Sequence, residues 1–157
     1  MTSIMGEFYG YKLRMPEESD RTTLEQWIAR NPTDDNRRTA TFFMGQQMDE
    51  RENAPPIMCV LEDAEGIVFF TRIDRIQSAA LINIQSGPDI SNNSRMRNII
   101  ALLEGLIYLE EILVRDGFEE WIFQSTCPAV SAFAKRRMGF VESQGNLIRS
   151  MSGKREL

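Results

Sequence analysis

The stretch SRMRNIIALLEGLIYLEEILVRDG, residues 94–117, carries the longest helical pattern in the chain. Apolar residues stand at Met96, Ile99, Ile100, Leu103, Leu106, Ile107, Leu109, Ile112 and Leu113, helical spacing with extra apolar positions filled in. Its polar side is a thin stripe through Arg97, Glu104, Glu111 and Arg115. So narrow a stripe predicts a helix covered on most of its circumference, lying on a sheet with neighbours on its flanks. Twenty helical residues run roughly 30 Å, enough to cross several strands. Glu111 and Arg115 sit four apart in the favourable order. Gly117 follows the last periodic turn, and Arg115 suits the negative end of the helix dipole.

Working outward, the segment before this helix reads as strands. Over 77–85, Ala79, Leu81 and Asn83 point one way and Ala80, Ile82 and Ile84 the other. The runs 57–61 and 67–73 form a hairpin around the turn EDAEG. Further upstream, 39–50 is expected to be helical, with Phe42, Phe43, Met44 and Met48 packed in the core; 51–56 is a polar connection ending in Pro-Pro. A helix over 17–30 has Leu24, Trp27 and Ile28 on its apolar face, acidic and capping residues at its start, and Asn31-Pro32 at its end. The alternating YKLRM, 11–15, is the first strand, and Pro16 breaks it.

Downstream, EEWIFQ over 119–124 is a short strand, and Thr126-Cys127-Pro128 opens a helix that runs through Val130, Phe133 and Met138 to Gly139. A closing hairpin pairs 140–142 with 147–151 around Gln144-Gly145-Asn146. This order predicts an α+β fold, a mixed, mostly antiparallel sheet of about six to seven strands flanked by about four helices. A chain of 157 residues is expected to be a single domain over 1–157.

Composition narrows the function. The apolar fraction is an ordinary 42%, and the net charge of −5 argues against a nucleic-acid partner. The basic clusters Arg37-Arg38 and Lys135-Arg136-Arg137 read as solvated faces, as do Glu110-Glu111 and Glu119-Glu120. The absence of histidine removes imidazole bases, imidazole metal ligands and histidine-activated nucleophiles. Cys59, inside the apolar IMCVL, reads as a small buried hydrophobe, and the two cysteines alone make no zinc site. No segment is long and apolar enough to span a bilayer, so no membrane partner is expected and a cytoplasmic setting follows by default. No Gly-rich nucleotide loop, nucleophile elbow or metalloprotease motif is present.

The order of elements, with two passages of sequence, resembles the GNAT superfamily of acyl-CoA-dependent N-acetyltransferases. YKLRMPEESDRTTLEQWI is similar to that family's first strand and helix, and DGFEEWIFQSTCPAVSAFAKRRMGFVES to its late strand, helix and terminal Gly-Phe, here Gly139-Phe140. The resemblance covers about 11–151. It implies acetyl-CoA as cofactor, with acyl-CoA and an amine acceptor as partners; a homodimer stays open.

The family's Q/R-x-x-G-x-G/A motif, whose amides hold the cofactor's pyrophosphate at a helix start, falls on Ser94, Arg97 and Ile99 when aligned through Ala101-Leu102-Leu103. Neither glycine is present. Ser94, Arg95, Arg97, Asn98 and Ile99 are therefore the candidate pyrophosphate set, with Arg95 and Arg97 as side-chain ligands in place of open backbone. The resemblance also implies that Ile82, Asn83 and Ile84 hold the pantetheine through their backbone, with Ser125 and Ser131, beside Thr126 and Cys127, near the thioester. The family's acidic tyrosine is replaced by Lys135, and no carboxylate stands out as the amine's base. The acceptor side would come from about 19–50, where Trp27, Phe42 and Phe43, with Asp34 and Asp35 nearby, suit a cationic amine. Two readings follow: an N-acetyltransferase acting on an unidentified amine, or a catalytically inactive GNAT-like binding or assembly module.

Overall fold

The computed structural model describes residues 6–30, 39–45, 55–87, 91–125 and 128–151. Among these residues, eight strands form one sheet: β1 (Gly6–Phe8), β2 (Tyr11–Arg14), β3 (Ile57–Asp63), β4 (Gly66–Ile76), β5 (Ala79–Ser86), β6 (Glu120–Ser125), β7 (Val141–Ser143) and β8 (Asn146–Ser150). The described residues also hold four α-helices: α1 (Arg21–Arg30), α2 (Ala40–Phe43), α3 (Asn92–Arg115) and α4 (Pro128–Arg137). The strand order is β1-β2-β3-β4-β5-β6-β8-β7. Every neighbouring pair is antiparallel except β5 and β6, which run parallel. A parallel neighbour requires a long crossover, and the 24-residue α3 supplies it.

The sheet is the middle of three layers. On one face, Leu102, Leu106, Leu109 and Leu113 of α3 and Val130 and Ala134 of α4 bury against Phe69, Ile73, Ile82, Ile84, Trp121 and Phe123. On the other, Leu24 of α1 and Phe42 and Phe43 of α2 bury against Val60 and Phe70. Strand alternation therefore sends Ile82 and Ile84 toward α3, and Asn83 toward α1 and α2.

The expected α+β architecture is present, with one strand more than anticipated. β1 escaped notice because it is only three residues, Gly-Glu-Phe. Tyr9 and Gly10 both take positive φ, 50° and 85°, and turn the chain into β2. Phe8 then stacks on Tyr108 of α3 with ring centroids 4.2 Å apart, so α3 holds the edge strand.

Three expectations need correction. The helix expected over 39–50 is a single turn among the described residues, Ala40–Phe43, because Gly45 leaves the helix at φ 77°; Met48 lies outside the described residues. Phe42 and Phe43 are buried in the core as expected. Glu110 is not on a solvated face: it is 6% exposed and accepts hydrogen bonds from Trp121 Nε1 and Arg149 Nη2. Finally, α3 is not covered on most of its circumference. Met96, Ile100 and Ile107 face outward at 53%, 46% and 52% exposure.

Candidate functional site

The parallel pair β5 and β6 breaks the antiparallel pattern of the sheet, and a helix follows each strand at the same sheet end. Pairing runs from Ala79↔Glu120 to Ile84↔Ser125. Beyond that point β5 continues through Gln85 and Ser86, which still pair with β4 at Phe70 and Phe69. Their edge toward β6 is thus without a strand partner among the described residues. The carboxyl ends of parallel strands followed by helix N-termini are the general position for ligands in such sheets.

The start of α3 is built by Ser91 and Ser94. Ser91 is the N-cap, its Oγ accepting from Ser94 N at 3.1 Å, while Ser94 Oγ accepts from Ser91 N at 3.0 Å. Ser91 O takes the amide of Arg95. Of the four amides that a helix start leaves open, those of Ser91 and Ser94 are taken by the capping box, which leaves Asn92 and Asn93 at the exposed tip.

The structure shows where the pyrophosphate candidates stand on α3. The alignment through Ala101-Leu102-Leu103 put Arg97 and Ile99 at the helix start, but α3 begins at Asn92, so both lie in its second turn, where amides are spent on the helix itself. The hydroxyl of Ser94 is spent on the cap. Arg97 reaches sideways to the β3–β4 hairpin: its Nε and Nη2 hydrogen-bond Asp63 at 2.7 and 2.8 Å, and Nη2 also reaches Gly66 O at 3.1 Å. The guanidinium holds the Asp63 carboxyl below the usual aspartate range. Arg95 stays exposed in the first turn, 3.4 Å from Asn92 Oδ1.

Asn98 is the exception in this set. Its side chain is buried at 4% exposure, and its Nδ2 has no acceptor among the described residues. A buried donor left unmet costs about 1–3 kcal/mol, and none of the described residues meets this one.

Of the strand candidates, Ile82, Asn83 and Ile84 lie inside the β6 ladder, opposite Phe123, Gln124 and Ser125. The backbone edge that opens toward β6 begins at the next residue, Gln85, and continues through Ser86. Ser125 is the last residue of β6, and Ser131 is half-buried in α4. Thr126 and Cys127 lie outside the described residues, as do Asp34 and Asp35. Lys135, at the position of the family's tyrosine, is exposed on α4, 3.5 Å from Glu142. Cys59 is buried, and burial pushes its thiol up to about 12, so it carries no nucleophile.

The opposite face of the sheet holds a polar row of which only Asn83 was among the sequence candidates. Arg72, Asn83 and Gln124 stand side by side on β4, β5 and β6 by register, and Gln124 Nε2 donates to Asn146 Oδ1 of β8 at 2.7 Å. Arg72 is fully buried: Nε meets both Asp74 oxygens at 3.0 and 3.1 Å, Nη1 donates to Phe42 O at 2.8 Å, and the guanidinium lies 4.2 Å from the Phe42 ring centroid. The signal was present as two charges, Arg72 and Asp74, alternating with apolar residues in FFTRIDRI. Ending the strand at Ile73 hid it.

A mostly antiparallel sheet with one parallel pair, a long crossover helix on one face and two short helices on the other is a known arrangement. The chain has the GNAT fold. Solved structures with the GNAT fold that it resembles include the ribosomal-protein-S18-alanine N-acetyltransferase from Escherichia coli, 18% identical over 90% of this chain and 94% of that one, TM-score 0.59. Ard1 from Thermoplasma volcanium is 12% identical over 90% and 98%, TM-score 0.60. The PaiA N-acetyltransferase from Thermoplasma acidophilum, solved in complex with coenzyme A, is 13% identical over 88% and 96%, TM-score 0.53. No protein-family model and no curated protein matches the sequence. Among the described residues, no helix is long and apolar enough to cross a membrane, and no cluster of three or more Cys, Asp or Glu side chains forms a metal site.

Proposed function

We propose that residues 1–157 form one GNAT-like domain that works in the cytoplasm as an acyl-CoA-dependent N-acetyltransferase on an unidentified amine, with acetyl-CoA as donor. The observation that carries this reading is Asn98 Nδ2, a buried donor without an acceptor in the described residues, on the helix that starts where β5 outruns β6. The coenzyme's pantetheine amides bring carbonyl acceptors of the kind that donor lacks, so the residues present fit the group. The amides of Asn92 and Asn93, with the Arg95 side chain, would hold its phosphates by the helix-start logic. The open backbone of Gln85 and Ser86 would hold the pantetheine.

When bound, acetyl-CoA supplies an acetyl group on a thioester, open to attack by an amine. This chain's contribution is positioning: two helix starts on one side, and the face under α1 and α2 on the other. Holding an amine against a thioester in line supplies much of a rate by itself. That economy suits a site in which Lys135 replaces the usual acid. The test is thiol release from acetyl-CoA across a panel of small amines and peptide N-termini. Release that depends on both amine and Asn98 supports the reading; coenzyme binding without release over the whole panel contradicts it.

A second reading, an inactive GNAT-like binding module, is favoured by one observation: the two side chains nearest the family's functional positions, Arg97 and Lys135, are paired with Asp63 and Glu142. The same panel separates the two.

A further inference from the structure

Met96, Ile100 and Ile107 of α3 are large apolar side chains turned outward, and Leu103 and Val114 beside them are only half-buried. The positions 96, 100, 103, 107, 110 and 114 alternate steps of four and three, a repeat of 3.5 residues. This is the spacing with which one helix packs along another. Ile100, Ile107 and Val114 fill one heptad position, and Met96 and Leu103 the other. The fifth position, Glu110, is the exception, and its carboxylate is turned inward to Trp121 and Arg149.

The flanks of this seam differ. On the side of α4, Leu106 and Leu113 are already spent in the core. On the other side lie Arg97, Glu104 and Glu111, one heptad apart. We propose that α3 pairs antiparallel with α3 of a second copy of this chain about a two-fold axis. In the register that sets Met96 against Val114 of the second copy, and Leu103 against its Ile107, Ile100 falls opposite the inward-turned Glu110. The flanking charges then meet as Arg97 with Glu111, twice. Arg97 is equipped for this, since Nε and Nη2 serve Asp63 and the β4 carbonyls while Nη1 makes no hydrogen bond among the described residues. The axis brings Glu104 against its own copy, the one unfavourable pair.

That pair gives the test its sign. Sedimentation velocity of the full chain from 1 to 100 µM (order-of-magnitude concentrations for a modest interface) is expected to show a monomer–dimer equilibrium. Ile107→Glu is expected to abolish the dimer while its melting curve stays cooperative, because Ile107 is not part of the core. Glu104→Gln is expected to tighten the dimer by about two- to fivefold at pH 7, the scale of one exposed charge pair. A monomer throughout, a dimer that survives Ile107→Glu, or a Glu104→Gln dimer no tighter than wild type overturns the proposal. The outcome is independent of acetyl transfer, which is measured separately.

Discussion

Trp121 Nε1 on β6 donates to Glu110 Oε1 on α3 at 2.6 Å, tying the long helix to the strand that runs parallel to β5. Arg149 of β8 closes the network from the other side, its Nη1 also reaching Met138 O at the end of α4 at 2.9 Å. One carboxylate thus links α3, β6, β8 and α4. Glu110→Ala is expected to cost about 3–5 kcal/mol, because it leaves Arg149 without its anion in a mostly buried place. Glu110→Gln, which keeps the shape and an acceptor, should cost clearly less. Urea unfolding followed by tryptophan fluorescence measures both.

Acid should weaken the fold through two aspartates. Asp63 is held below the usual aspartate range by the hydrogen bonds of Arg97, and Asp20 by those of Arg14, which also contacts Glu62 at 3.1 Å. A carboxyl whose folded pKa is depressed contributes stability that is present above the unfolded value, near 3.8, and is lost as pH falls through the folded value. The urea midpoint is therefore expected to hold from pH 7 to about 5 and to fall below about 4. Asp63→Asn should start lower at pH 7 and lose less in acid. Parallel curves for variant and wild type contradict this assignment.

Gly45 sits at φ 77° after the single turn of α2, and a Cβ built there would lie 2.4 Å from Met58 Cε. The methionine tip can move, but the left-handed backbone still penalises alanine by about 1–2 kcal/mol. Gly45→Ala is expected to lower the melting temperature by about 2–8 °C. Because α2 carries the Phe42 carbonyl that receives Arg72, it should also loosen the turn against the sheet. Faster amide exchange at 39–45 is the local readout.

The fold was largely legible because its elements announce themselves locally. The 3.6-residue pattern of α3, the turn EDAEG and the Pro128 helix start each act within a few residues, and the structure contains all three elements. What local pattern cannot reveal is pairing. Glu110 looks like surface from its neighbour Glu111, and only the fold brings Trp121 and Arg149 to it. Arg72 and Asp74 look like the end of a strand until α2 is folded over them. The site was read less well for a related reason. Aligning on Ala101-Leu102-Leu103 assumed the family's helix start, whereas the Ser91–Ser94 capping box starts α3 earlier and moves the open amides to Asn92 and Asn93. Asn98 was among the candidates by position in the motif; its burial and unmet donor are tertiary facts.

Asn98 also makes an unusual stability prediction. Replacing a buried hydrogen-bonded asparagine normally destabilises, but Nδ2 here has no acceptor among the described residues. Asn98→Leu should therefore leave the free chain about as stable as wild type, or more so, because it removes an unmet polar group. A loss of about 2 kcal/mol or more in urea unfolding would mean that the amide is already satisfied and is a structural group.

The measurement that tests the central claim most directly is thermal melting of wild type and Asn98→Leu with and without acetyl-CoA. At about 100 times the dissociation constant a ligand adds roughly 2.7 kcal/mol, which for a chain of this size raises the midpoint by about 5–10 °C. The account predicts that rise for wild type, and a much smaller one for Asn98→Leu at the same concentration from an equal or higher starting midpoint. No rise for wild type with millimolar acetyl-CoA, or an identical rise in the two proteins, would contradict it.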